Sequence, residues 1–88
     1  MPQTTPTDPQ AVALAALAAT LTDERRAARF LDLTGLSPDG IRARLGDPAL
    51  LSACLIFLEA HEPDLEAVAS ALDLSPKALI AAREELER

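Results

Sequence analysis

Residues that carry chemistry are scarce in this 88-residue chain, which has one cysteine, one histidine and no tryptophan or tyrosine. A lone cysteine excludes an internal disulfide, and a lone histidine excludes zinc sites that need several histidine or cysteine ligands. Cys54 lies in the most apolar stretch, so we interpret it as a buried, inert core residue. His61 lies among acids at a helix junction and is interpreted as a solvated C-terminal cap of a helix. We therefore predict that the protein is not an enzyme, with no catalytic residue, no metal and no cofactor.

Glycine-rich loops and long apolar runs are also missing. The three glycines are scattered, which argues against a phosphate-binding loop. The longest apolar stretch, Ala49–Leu58, contains one polar residue and is far shorter than the roughly 20 residues that span a bilayer. The polar N-terminus lacks the basic segment and apolar core of a signal peptide. These features predict a cytoplasmic protein that does not contact a membrane.

Basic residues are few, and the formal net charge is −6. The segment from Asp47 to Leu74 has six acids and no lysine or arginine. An acidic chain repels nucleic acid overall, which makes a nucleic-acid partner unexpected. The arginines are concentrated earlier, at Arg25, Arg26, Arg29, Arg42 and Arg44. One interpretation of this cluster is a solvated face with local ion pairs, which the acidic fifth helix could also face within the fold. The other interpretation is a patch that binds an acidic partner or phosphate.

The residues that are abundant, alanine, leucine, arginine and glutamate, are strong helix formers. Polar caps followed by proline mark most of the helix starts. The pattern predicts an all-α fold, a compact bundle of five or six short helices, with residues 1–8 as a disordered tail and residues 9–88 as one helical domain. Asp47–Leu58 is apolar on every side, and such a helix must be covered all round, so we expect it to be the buried central helix.

The two halves of the chain show similar apolar spacing. Leu36-Ser37-Pro38 and Leu74-Ser75-Pro76 are 38 residues apart, and at this offset Leu17 coincides with Leu55 and Phe30 with Val68. The pattern is compatible with two tandem helix triplets, Pro9–Leu45 and Asp47–Leu86. It is equally compatible with the periodicity that any two amphipathic helix pairs share.

Several short motifs occur together in order along the chain. They are Phe30-Leu31-Asp32-Leu33-Thr34-Gly35-Leu36, Asp47-Pro48 with Leu51, Phe57-Leu58, His61-Glu62 with Leu65, and Leu74-Ser75-Pro76 with Ala82-Arg83 and Leu86. From Arg26 to Leu86 the chain resembles a family of small bacterial proteins of unknown function. The resemblance implies an all-helical fold and brings no activity, cofactor or catalytic residue. Asp73 stands where a small residue or glycine is expected, but aspartate tolerates the left-handed conformation.

These observations favour a non-enzymatic protein-interaction or regulatory module. A helix that is apolar all round is hard to cover in so small a protein, and uncovered apolar area marks an interface. The partner is then another protein or a second copy of the chain in a homodimer. The candidate partner-binding residues are Arg25, Arg26, Arg29, Arg42, Phe57 and Leu58.

Two other functions remain open from the sequence. Residues 62–86 have the spacing of a helix-turn-helix, so the main alternative is a DNA-binding, transcription-associated protein. Its second helix would begin with Pro76, Lys77 and Ala78, which offer little for reading bases. A weaker alternative is a small enzyme subunit that completes a site on a partner.

Overall fold

The computed structural model describes residues 8–88, and within this range the chain forms six α-helices and no strand. The helices are α1 (Pro9–Thr22), α2 (Glu24–Thr34), α3 (Pro38–Ala43), α4 (Pro48–Glu59), α5 (Glu62–Ala71) and α6 (Pro76–Leu86). The predicted all-α bundle of short helices is confirmed. The predicted disordered tail lies outside the described residues, except for Asp8, which caps α1.

Short polar side chains and proline begin most of these helices. Asp8, Ser37, Asp47 and Ser75 each accept a hydrogen bond from a backbone amide in the first turn of α1, α3, α4 and α6, and a proline follows each of them. The Ala49 amide, for example, donates to Asp47 Oδ1 at 2.9 Å. Caps of this type each stabilise a helix by about 1 kcal/mol. Local chemistry therefore sets where these helices start.

Helices α1, α4 and α6 pack against one another and form the centre of the bundle. Leu17 of α1, Leu51 and Leu55 of α4 and Leu79 of α6 are completely or almost completely buried there. Helix α4 buries seven of its twelve residues. As predicted, it is the most enclosed helix, although a narrow stripe that includes Ala49 and Ile56 remains exposed.

One polar contact crosses the interface between α1 and α4. The hydroxyl of Thr20 donates to the Ala16 carbonyl at 2.8 Å, within α1. The same oxygen lies 3.6 Å from the Cys54 sulfur. Either the hydroxyl or the thiol can be the donor in this second contact. Both side chains are fully buried.

The two halves of the chain correspond at the offset of 38 residues. Helices α2 and α5 begin at Glu24 and Glu62, and α3 and α6 begin at Pro38 and Pro76. Gly35 and Asp73, also 38 residues apart, both have positive φ, +73° and +58°. The halves differ in their last helix, because α3 has six residues and α6 has eleven. Helix α6 packs on both α1 and α4, whereas α3 packs only lightly on the rest of the bundle.

Two details of the helices differ from the sequence-based expectation. The sequence predicts Thr22 as the N-cap of α2, but Thr22 is the last residue of α1 and Asp23 is the cap. The Asp23 carboxylate accepts a hydrogen bond from the Arg26 amide at 3.0 Å. In α1 we expect Leu14, Leu17 and Leu21 to face inward, but only Leu17 is buried. None of the helices described is long and apolar enough to cross a membrane.

Candidate functional site

The exposed side of α1 is apolar between its two ends, where Gln10 and Thr22 are exposed polar residues. No residue of Pro9–Thr22 is charged, yet six of its fourteen residues are exposed. We call this exposed stripe the α1 ridge, and it consists of Ala11, Leu14, Ala18 and Leu21. Leu14 is 40% exposed and Leu21 is 36% exposed. Single exposed leucines are ordinary, but a contiguous apolar stripe marks a contact surface.

A groove continues the α1 ridge at Leu21. It has a volume of about 340 Å³ and is mainly apolar. The residues that line it are Leu21, Ala27, Leu31, Pro38, Ile41, Arg42 and Leu45. Leu45 is 39% exposed at its edge. The short helix α3 lies beside this groove without closing it, so the ridge and the groove together form one apolar face.

The candidate arginines have separate environments. Arg26 and Arg29 of α2 both bind the Asp64 carboxylate of α5, at 3.4 Å and 2.7 Å. Asp64 is buried, so these two arginines are engaged within the fold, as the interpretation that the acidic fifth helix faces them expects. The i,i+3 spacing also predicts the local pairs Asp23–Arg26 and Arg29–Asp32. The first is present at 3.8 Å, whereas Arg29 binds Asp64 instead of Asp32.

Arg25 and Arg42 remain at the surface. Arg42 pairs with Asp39 at 2.7 Å and lies on the edge of the groove. Arg25 lines a shallow, mixed-charge depression with Arg26, Arg29 and His61. His61 occupies the N-cap position of α5 without a side-chain cap bond. Of the candidate arginines, only Arg42 therefore borders the apolar face.

Phe57 and Leu58 belong to the core. Leu58 is fully buried and Phe57 is 7% exposed. The Phe57 ring packs edge-on against Phe30, with 5.2 Å between ring centroids, and the Arg29 guanidinium lies 5.5 Å from its centroid. A partner of the folded chain would meet Ile56, which is exposed on the same helix, rather than these two residues.

The titratable groups with shifted pKa values have structural explanations. Burial raises the pKa of the Cys54 thiol to about 11, against a smaller opposing effect of its contact with Thr20. The Ser52 hydroxyl donates to Glu87 at 2.9 Å and lowers the pKa of that carboxyl, helped by Arg83. The backbone amide of Arg26 similarly lowers the pKa of Asp23. Among residues 8–88 no group of three potential metal ligands occurs.

Helices α5 and α6 are joined by a short turn. Asp73 takes a left-handed conformation, and the Leu74 amide donates to the Ala69 carbonyl at 2.9 Å, which closes the end of α5. Leu79 and Ala82 anchor α6 in the core. Lys77 at its exposed start is the one basic residue there before Arg83.

Sequence reasoning missed the α1 ridge, although the signal was present. The segment Asp47–Leu58 is conspicuous in the sequence because its apolar residues face every direction. The segment Pro9–Thr22 has the same property, with Gln10, Thr20 and Thr22 as its polar residues. Only the packing shows which of the two helices has its outer face left open.

A model of a protein family described as "Protein of unknown function (DUF3572)" matches residues 6–88. This match confirms the resemblance to a family of unknown function and extends it to α1. Neither the curated proteins nor the solved structures contain a match to the chain.

Proposed function

Because this chain belongs to the DUF3572 family of proteins of unknown function, its role has to come from its own residues, and we propose that it is a non-enzymatic protein-interaction or regulatory module. The observation that carries the proposal is the apolar face, the α1 ridge together with the groove. A helix that is apolar on every side is normally covered on every side, and this chain leaves Leu14 and Leu21 of α1 partly exposed.

The chemistry of the face indicates the kind of partner. Leucine and alanine side chains offer dispersion contacts and release of water, worth about 25 cal/mol for each Å² removed from solvent. The groove lies between helices, and an amphipathic helix can bind by placing its apolar side chains in a groove of this kind. Arg42 at its edge pairs with the exposed Asp39, and because solvent screens this pair, the guanidinium can also meet an acid of a partner. We propose a partner helix with an apolar stripe and an acid beside it.

The proposal is tested by capture of partners from cells with the tagged full chain. Leu45→Asp places a charge at the edge of the groove, and Leu14→Asp places one on the ridge. The matched control is Leu33→Asp, since Leu33 is 70% exposed on α2 and lies outside the apolar face. We expect a protein captured by the natural chain to be lost with Leu45→Asp and retained with Leu33→Asp. Equal capture by all variants would contradict the proposal.

DNA binding by residues 62–86 is the second candidate function. It is favoured by one observation, the tight turn at Asp73 between α5 and α6. Against it, the phosphate contacts that dominate DNA affinity require basic groups, and the exposed start of α6 offers Lys77 alone. Electrophoretic shifts with random duplex at low salt test it. Binding that weakens with added salt and with Lys77→Ala would favour DNA binding over our first proposal.

A further inference from the structure

The α1 ridge has a spacing that suits contact with another helix. Its residues are separated by three, four and three positions, from Ala11 to Leu14, Ala18 and Leu21. This is the spacing with which two helices cross at about 20° and interlock their side chains. Alanine at alternate positions lets the two backbones approach closely.

The ridge is also complementary to itself when one copy is turned end to end. The pair Leu14–Ala18 and the pair Ala11–Leu21 have the same midpoint, at the level of Ala16. In an antiparallel arrangement each leucine of one copy therefore lies opposite an alanine of the other. A parallel arrangement would place leucine against leucine and alanine against alanine, which leaves gaps at the small residues.

We propose that the α1 ridge is a twofold contact between two copies of this chain, with the α1 helices antiparallel and the axis passing near Ala16. The inference rests on the proposed function, because it assigns an occupant to one part of the apolar face. The groove beyond Leu21 then stays available to a different protein.

The size and charge of the chain set the strength of this contact. A contact that centres on one helix stripe is smaller than the 1,200–2,000 Å² of a standard interface, so the dimer is weak and depends on concentration. Each copy carries a net charge of −6, and salt screens the repulsion between the copies. Added salt therefore strengthens the association, the opposite of its effect on an interface held by ion pairs.

The main test is sedimentation velocity of the full chain at concentrations up to about 1 mM, which reaches weak affinities. We expect the mass to rise from 9.3 kDa towards twice that value, and to rise further with added salt. Ala18→Glu and Leu14→Asp should each weaken the association tenfold or more, while Leu33→Asp should leave it unchanged. Circular dichroism shows whether each variant is folded, and Ala18→Glu is the safer variant because Ala18 is exposed in a helix.

Cross-linking tests the antiparallel arrangement. Native Cys54 is buried, so new surface cysteines react without competition. Under oxidation, a mixture of Leu14→Cys and Ala18→Cys chains should form the mixed dimer faster than either variant forms its own. Faster linking of Leu14→Cys to itself would overturn the antiparallel geometry.

The outcomes separate this inference from the proposed function. A chain that stays monomeric at every concentration overturns the twofold contact. If such a chain still captures a protein that Leu45→Asp loses, the proposed function stands without it. Self-association that Leu33→Asp weakens as much as Leu14→Asp would move the contact away from α1 and overturn the inference.

Discussion

Asp64 joins α5 to α2, and replacing it with asparagine should destabilise the fold measurably. Its side chain is 10% exposed and accepts hydrogen bonds from Arg26 and Arg29. Asparagine keeps the size of the side chain but removes the charge that both arginines face. A hydrogen bond to a charged group contributes about 1.5–3 kcal/mol, so two of them set the upper limit of the loss.

The structure lowers this limit. The Arg29 side chain is 48% exposed and can be hydrated when it loses Asp64. Its contact with Asp64 therefore contributes little to the free energy of unfolding. Arg26, at 14% exposure, keeps Asp23 and the Ala19 carbonyl as partners. We therefore expect Asp64→Asn to lower the free energy of unfolding by about 2 kcal/mol, which corresponds to roughly 8–16 °C in melting temperature for a chain of this size.

The matched control is Asp39→Asn. The Asp39–Arg42 pair has the same 2.7 Å distance as Asp64–Arg29, but its side chains are 91% and 71% exposed. Solvent screens such a pair, and we expect a loss of about 0.5 kcal/mol. Urea unfolding followed by circular dichroism measures both values. Equal losses for the two variants would refute the argument that burial, rather than distance, determines the contribution of each pair.

Further predictions concern the thiol, the left-handed turns and acid stability. With a pKa of about 11, about one Cys54 thiol in a thousand is ionised at pH 8, so its reaction with a disulfide reagent should be at least a hundredfold slower than in the unfolded chain. Gly35→Ala should lower the free energy of unfolding in urea by about 1 kcal/mol, because φ is +73° and a side chain disfavours this conformation. Nothing lies within 4 Å of the new Cβ, so no steric clash adds to this loss. Asp73→Gly, at the corresponding turn, should not destabilise the fold. The pKa of Glu87 is lowered from 4.5 in the folded chain, so at acidic pH the unfolded chain binds more protons than the folded chain. The folded state therefore loses stability as the pH falls below about 4.5. Glu87→Gln should make the melting temperature fall less steeply between pH 5 and pH 3.

The helix starts could be predicted from the sequence because they depend on neighbouring residues. Ser37-Pro38 and Asp47-Pro48 each supply an acceptor for an early backbone amide and a φ that suits a first turn. The left-handed turn at Asp73 was also predictable, from the tolerance of aspartate for that conformation. These features need no knowledge of distant parts of the chain.

The location of the open apolar surface could not be predicted in the same way. Helices α1 and α4 are both apolar on all sides, and the sequence alone does not say which neighbours cover them. The eleven-residue α6 packs on both, while the six-residue α3 makes only sparse contacts with the other helices. The open face therefore depends on the length and position of a third helix. Phe57 and Leu58 are predicted as candidate partner-binding residues from the apolar sequence around them. Their neighbours in the fold cover both side chains, which lie in the core.

The buried contact between Thr20 and Cys54 has a consequence for the uniqueness of the fold. Two helices made largely of alanine and leucine can shift along each other by one turn with little change in the apolar area they bury. The present alignment brings the hydroxyl to within 3.6 Å of the thiol. A shift would leave the buried thiol without this polar neighbour, which is unfavourable, whereas the hydroxyl would keep its bond to the Ala16 carbonyl. The contact between Thr20 and Cys54 therefore favours one alignment of α1 and α4. It contributes to structural specificity more than to stability. Replacing both residues with valine should preserve the melting temperature within a few degrees while broadening the methyl resonances of Leu17 and Leu55, as the helices sample more than one alignment.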